Sequence, residues 1–383
     1  MAFKGVTVLD IGSSAITAVV GEKGVNGTFS LKGQTSIPYE GFSEGHFFDE
    51  KSLESGILEA VKEALSSAEI STNEIYVSVP GVFISLDNKK YKIAFGKSKK
   101  ITQKDIDKLF EDGKVGVKTD DYEIIGATEI YFVLDDSRKV FSPIGVNSSI
   151  LGGAITYVSC EKYFAELIRS ILAKVGIKTV NFVYVGQAEA EYLLTREERD
   201  FPSLILDVGY ITSEVSLHYG NGILAEYSED FGGGYLMGHL VGAFDLSLKD
   251  AESLKRQVKF GNNPENNAVY SINSDLGTMN FACESVNDII FTEVDAFLGG
   301  VTEFIDEYAK NFADSVKVYL TGGGISYLKG IKTHVSARLD CPVEILVPKV
   351  PLHSKPEEAS LFSLIDYAVR DKLKKKKKLF FIF

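Results

Sequence analysis

Two short stretches have the residue types and spacing for phosphate chemistry. Residues 6–15 read Val-Thr-Val-Leu-Asp-Ile-Gly-Ser-Ser-Ala, and residues 203–212 read Ser-Leu-Ile-Leu-Asp-Val-Gly-Tyr-Ile-Thr. In each, an apolar β-prone run meets an aspartate (Asp10, Asp207), one apolar residue, a glycine (Gly12, Gly209) and a short turn. β-prone residues then resume, which predicts a hairpin. The turn residues are Gly12, Ser13, Ser14 and Ala15 in the first copy, and Gly209, Tyr210, Ile211 and Thr212 in the second. Small turn residues let backbone N–H groups approach phosphate oxygens. An aspartate just before such a turn can hold Mg²⁺ through water. One copy alone reads better as a plain hairpin turn; the recurrence makes the pattern specific.

Two glycine runs extend the set. Residues 316–326 predict a strand ending in Gly322, Gly323 and Gly324, followed by Ile325. Gly232, Gly233 and Gly234 precede a predicted helix, whose free N-terminal N–H groups would form a further anion site.

The elements that must position these groups follow from length and periodicity. A chain of 383 residues, 45% hydrophobic, can bury two cores. The net charge of −12 gives no electrostatic case for nucleic acid. Cys160, Cys283 and Cys341 lie far apart and form neither a metal spacing nor a disulfide framework, which suits a reducing cytosol. No signal-like start and no apolar run near 18 residues is expected.

Residues 1–82 read strand, strand, strand, helix, strand, and residues 161–195 add helix, strand and helix, which together predict a first lobe. Residues 83–160 predict an inserted small domain without a catalytic cluster. Residues 196–369 predict a second lobe, with a subdomain at about 228–312 and a last helix at 357–369. Residues 370–383 form a basic tail ending in Leu379, Phe380, Phe381, Ile382 and Phe383.

Paired Asp-x-Gly hairpins followed by a strand ending in Gly-Gly-Gly resemble the actin, chaperone and sugar-kinase ATPase superfamily. That resemblance implies an α/β fold of two ribonuclease-H-like lobes. It also implies ATP with Mg²⁺, phosphates held by both hairpins, and Gly322 to Ile325 under the adenosine. Glu252 would then hold the ribose and Lys255 would lie near the base; solvated helix charges would read the same. Gln187, Glu189 and Glu191 lie where a residue orienting the attacking water is expected, and the sequence does not choose among them.

The insert's position, residues 156–160, residues 190–199, Ala251-Glu-x-x-Lys255 before Phe260-Gly261, and Leu320-Thr-Gly-Gly-Gly324 are similar to the bacterial cell-division FtsA family. This resemblance implies filament formation through a 1C-like insert and binding to the FtsZ-type ring protein. It further implies a place at the division site on the cytoplasmic face of the membrane, with slow ATP turnover at most. The chain departs from the family at three places. No Lys or Arg occurs at Ala15-Ile16-Thr17, Tyr210 replaces a second glycine, and Glu293 stands where Ile290-x-x-Arg is usual. These mark a divergent member or a paralogue. A PilM-type pilus-assembly adaptor and a small-molecule kinase are the rival readings. The kinase would need a carboxylate base, and Asp120, Asp121, Asp135 and Asp136 fall in loop-like runs.

The tail carries its own signal. Lys374, Lys375, Lys376, Lys377 and Lys378 precede the five apolar residues. Five consecutive lysines would cover every face of a helix, so the expected form is a basic block with a greasy end, bound to anionic lipid. Each lysine near such a surface contributes roughly 1 kcal/mol.

Overall fold

The computed structural model describes residues 5–24, 28–43, 45–261, 268–275, 277–310, 312, 316–351 and 353–380. The chain forms two compact units. Unit 1 comprises Met1–Ser203, Ser216–Tyr227 and Ser360–Phe383, and unit 2 comprises Leu204–Val215 and Ser228–Ala359.

In unit 1, β1 (Val6–Ile11) and β2 (Ala15–Lys23) form an antiparallel hairpin, with Asp10 opposite Thr17 and Ile11 opposite Ile16. β3 (Phe29–Pro38) extends the meander. The short ladder of β4 (Phe42–Ser43) and β5 (His46–Phe47) leads to α1 (Glu50–Ser67). Asp49 caps α1 by accepting the Ser52 N–H at 3.0 Å. Leu53, Ile57, Ala60, Val61 and Ala64, at helical spacing, are its buried stripe. β6 (Glu74–Val79) then pairs parallel to β1.

A 3₁₀ turn at Gly81–Phe83 takes the chain out of this sheet. β7 (Ile84–Lys100), α2 (Gln103–Asp112), β8 (Tyr122–Val133), β9 (Lys139–Val140) and β10 (Asn147–Glu161) follow. Their sheet has the order β7-β10-β8-β9 and its own core around Leu109, Phe132, Leu151, Ile155 and Tyr157. Asp105 accepts the Thr102 N–H at 2.9 Å, part of a capping box at the start of α2. The insert's roots belong to another core: Phe83, Ile84, Val158 and Cys160 pack with the residues of α1. The Phe83 ring stacks on Phe164 at 4.7 Å and on Phe47 at 5.3 Å.

α3 (Lys162–Ala173) returns to the first sheet, and β11 (Thr179–Tyr184) completes it in the order β11-β6-β1-β2-β3. α4 (Val185–Leu193) and the single turn α5 (Arg196–Arg199) follow.

Unit 2 is built on β12 (Ser203–Val208), β13 (Ser213–Tyr219) and β14 (Gly222–Glu229), whose residues 216–227 count with unit 1. α6 (Gly233–Phe244) and α7 (Leu248–Lys255) come next. β15 (Val269–Ser274) pairs with β16 (Gly277–Ala282). β16 reads Gly-Thr-Met-Asn-Phe-Ala and lacks the β-branched alternation that marks a strand. α8 (Cys283–Phe304), β17 (Lys317–Thr321), α9 (Ile331–Leu339) and β18 (Val343–Ile345) close the sheet in the order β14-β13-β12-β17-β18.

α10 (Ala359–Phe380) returns to unit 1 and buries Phe362, Leu364, Ile365 and Ala368. The sequence reading ends this helix at residue 369 and treats the lysine block as separate; the helix instead runs on through the lysines. Lysine is a good helix former, and no glycine or proline interrupts the segment. The protein body also engages this end. Tyr76 donates to Asp371 Oδ2 at 2.9 Å, Lys372 donates to the Gly5 carbonyl at 2.6 Å, and Lys375 donates to Asn181 Oδ1 at 2.9 Å.

Candidate functional site

In unit 1 the parallel strands β1, β6 and β11 share a register, with Leu9 beside Val77 and Val77 beside Phe182. Their carboxyl ends therefore align, which is where ligands bind in α/β sheets. Asp10 is the last residue but one of β1, Ser78 the last but one of β6, and Gln187 sits in the first turn of the helix leaving β11.

The β1–β2 turn is closed by the Gly12 N–H donating to the Ala15 carbonyl at 3.0 Å. Gly12 and Ser14 are exposed, while Ser13 and Ala15 are half-buried. Ser78 Oγ accepts the Ile11 N–H at 2.8 Å, and Ser360 Oγ donates to Asp10 Oδ2 at 2.9 Å. Burial raises the Asp10 pKa, and hydrogen bonds from Ser360 and Ser78 partly offset that rise. Sequence reasoning missed Ser360. No local pattern could reveal it, since it lies 350 positions away on α10.

Gln187 is buried. Its Nε2 donates to Glu191 Oε1 at 2.8 Å and to the Asn221 carbonyl at 2.9 Å. Its Oε1 has no hydrogen-bond partner among the described residues. Glu189 is also buried, at 1% exposure. Glu191 is committed elsewhere: its Oε2 pairs with Arg370 Nη1, and Arg370 Nε donates to Asp366 Oδ2 at 2.6 Å.

Unit 2 repeats the turn. Asp207, like Asp10, is the last residue but one of its strand, β12, and the Gly209 N–H donates to the Thr212 carbonyl at 3.1 Å. Tyr210, Ile211 and Thr212 are half-buried. The glycine loops lock against this hairpin. The Gly324 N–H donates to the Val208 carbonyl at 2.7 Å. Gly322 has φ +81°, and a Cβ there would lie 2.2 Å from Asp207 Oδ1, so only glycine fits. Gly323 is exposed beside Glu357, and Ile325 is fully buried.

The first turn of α6 departs from expectation. The Gly233 N–H donates to the Gly209 carbonyl at 2.9 Å and the Gly234 N–H to the Tyr210 carbonyl at 2.7 Å. These N–H groups hold the hairpin and are not free for an anion. Gly232 is packed as closely, since a Cβ there would lie 2.5 Å from the Gly209 carbonyl oxygen.

Lys255 is likewise no solvated helix charge. It is 2% exposed, donates to the Gly233 carbonyl at 2.9 Å and pairs with Glu252 at 2.7 Å. Burial lowers its pKa, against the pull of Glu252. Glu252 also pairs with Arg256 at 2.6 Å, and the Arg256 guanidinium lies 4.5 Å over the Tyr327 ring. Sequence reasoning missed Arg256 and Tyr327, although Arg at the i+4 position from Glu252 was a visible signal.

Each unit thus presents an aspartate before a tight turn, with exposed small residues on the turn of unit 1. Within unit 1, the exposed Gly12 and Ser14 beside Asp10 are groups of the kind that could meet a phosphate oxygen and, through water, its cation. Among the described residues, no group of three or more His, Cys, Asp or Glu could ligate a metal directly. On α8, Glu293 faces His239 at 3.4 Å. In the tail, Lys374 is exposed and Lys375 faces Asp371 at 2.7 Å. Lys376, Lys377, Lys378, Leu379 and Phe380 continue α10, while Phe381, Ile382 and Phe383 lie outside the described residues.

Comparison with known proteins adds to this geometry. The family described as "SHS2 domain inserted in FTSA" matches residues 81–159. The chain is 22% identical over 252 residues to the cell division protein FtsA of Escherichia coli K12; the match spans 66% of this chain and 60% of that protein's length. Among solved structures, the PilM-PilN type IV pilus biogenesis complex aligns at TM-score 0.64 and 18% identity, over 95% of this chain and 98% of that one. MreB 5 of Spiroplasma citri bound to AMPPNP aligns at TM-score 0.58 and 12% identity, over 97% of each chain. These likenesses establish an actin-like α/β fold, as the sequence predicts, and residues 81–159 are similar to the SHS2 domain inserted in FtsA.

Proposed function

We propose that this chain is an ATP-binding, filament-forming adaptor of the cell-division type, which tethers an FtsZ-type ring protein to the inner face of the membrane. The observation that carries the reading is the insert. It leaves the first sheet after β6, returns through α3, and matches the SHS2 domain of FtsA over residues 81–159.

The doubled turn supports nucleotide binding. Backbone N–H groups within the two turns, other than those of Gly12 and Gly209 that close the turns on the Ala15 and Thr212 carbonyls, would hold the phosphates, with Asp10 and Asp207 orienting Mg²⁺ through water. Gly322 to Ile325, Glu252 and Lys255 would line the nucleoside end. ATP would supply its γ-phosphate and its differential affinity for two subunit states. Gln187 is the better candidate for orienting water. Its amide nitrogen is fixed twice, which aims an acceptor oxygen that nothing in the described protein uses. Turnover would be slow, and the nucleotide would chiefly set assembly. Helical continuation of α10 into the lysines supports a tail that meets anionic lipid at a defined angle.

Vesicle co-sedimentation with and without ATP tests the reading. The adaptor binds anionic vesicles through residues 374–383, more tightly when ATP promotes assembly, because many tails act together. A pilus-type adaptor would leave the vesicles unbound, and that result would overturn the proposal.

A further inference from the structure

The insert carries a feature that nucleotide binding and the tail do not use. β7 is an edge strand: among the described residues only β10 pairs with it, in the order β7-β10-β8-β9. Its 17 residues, Ile84–Lys100, contain six lysines and one aspartate, in a chain whose net charge is −12. Alternation divides the side chains. Ile93 and Phe95 turn toward the insert core, while Lys90, Lys92 and Ala94 form an exposed row on the other face. Two lysines are engaged: Lys89 donates to the Gly116 carbonyl at 3.0 Å and Lys99 pairs with Asp105 at 2.6 Å. No ion pair is formed by Lys90, Lys92, Lys97 or Lys100 among the described residues. Tyr91, between two of these lysines, is 40% exposed.

An open strand edge offers backbone N–H and C=O groups to another strand, and lysines on an edge ordinarily deter that pairing. One or two charges serve that purpose. A run of six does more. It repels the same edge of a second copy and attracts a strand of opposite charge, so it sets both sign and register. We propose that β7 is a docking edge for an acidic, extended segment of a partner protein. The segment adds as a further strand along residues 89–94, with its carboxylates facing Lys90 and Lys92, while Lys97, past the left-handed Gly96, adds positive charge beyond the end of the row. Backbone pairing gives the affinity, and the lysine row gives the selectivity.

The test uses the full chain and three probes: a synthetic peptide alternating glutamate with threonine, the same peptide with lysine for glutamate, and anionic vesicles. The vesicles are presented to a chain truncated before Lys374. The triple variant Lys90→Glu/Lys92→Glu/Lys97→Glu should keep the melting temperature, since these side chains are exposed and form no ion pairs. The wild type should bind the acidic peptide, more weakly at high salt, and slow amide exchange across residues 89–94. The triple variant should bind it at least tenfold more weakly and prefer the lysine peptide. The milder variant Lys90→Gln/Lys92→Gln, an independent check on folding, should fall between. The proposal is overturned by equal binding of the acidic peptide to wild type and triple variant, by unchanged exchange along β7, by no binding, or by lysine-dependent binding of the vesicles alone. None of these outcomes depends on nucleotide or on the tail.

Discussion

Burial raises the pKa of Asp10, so the folded protein binds that proton more readily than the unfolded chain does. The group therefore favours folding in acid, and its contribution declines as pH rises through the raised pKa. Asp10→Asn removes the buried charge and keeps an oxygen for Ser360. It should stabilise the protein at neutral pH by about 0.5–2 kcal/mol, a gain that fades in acid, while weakening Mg-ATP binding. Thermal melts across pH, with calorimetry of ATP, would show this trade. His218 has the opposite sign. Burial, with Arg199 beside it, lowers its pKa to about 3 from an ordinary 6.5. Its contribution is present above the ordinary value and is lost as pH falls toward the lowered one, at about 1.4 kcal/mol per pH unit. His218→Gln should flatten that part of a stability-against-pH curve; an unchanged slope would assign the acid sensitivity elsewhere. Gly322→Ala should cost about 1–3 kcal/mol and weaken nucleotide binding, because its φ is left-handed and Asp207 blocks the Cβ. At Gly12 the nearest obstruction is the Ala15 carbonyl at 3.1 Å, so Gly12→Ala should cost less in melting temperature. At this scale the sequence displayed Asp10 and Asp207, because each precedes a local hairpin with a fixed spacing. It hid Ser360 and the burial of Lys255, because both depend on residues that meet only through the fold.

α10 is the element on which the account leans most. One helix touches Asp10 through Ser360, Glu191 through Arg370, and β11 through Lys375 before it carries the remaining lysines. Arg370→Ala would take the guanidinium from Glu191 and Asp366, leaving Glu191 the Gln187 amide and Asp366 the Lys23 ammonium at 3.6 Å. The loss should be about 3 kcal/mol, read as a lower denaturation midpoint. Among the described side chains, removing residues 374–383 takes away the contacts of the exposed Lys375 with Asp371, Asn181 and the Tyr76 ring, which are worth little. That truncation should leave the midpoint unchanged and abolish vesicle binding; a falling midpoint with binding intact would show the lysines to be structural. Long, periodic elements such as α1, α3 and the two hairpins were legible from spacing alone. The reach of α10 was not, because a lysine run is compatible with both helix and coil, and contacts from Tyr76 and Asn181 decide between them. β16 escaped notice because its residues have no strand pattern of their own and gain one by pairing with β15.

At the scale of the whole molecule, the insert's presence was legible as a change of pattern after β6, but its roots were not. Phe83 and Cys160 look like domain edges in sequence, yet both sit in the core shared with α1 and α3. A deletion of residues 83–160 therefore removes core side chains along with the insert. An assembly test is better made with the fold intact. The central claim is that this chain joins a ring polymer to a membrane under nucleotide control. The direct measurement is recruitment of a fluorescent FtsZ-type ring polymer to anionic vesicles, with this chain present or absent, with ATP present or absent, and with the Asp207→Ala variant. The account predicts fluorescence on the vesicles only when the chain is present, strengthened by ATP and reduced by Asp207→Ala. Ring polymer that stays in solution while the chain itself coats the vesicles would contradict it.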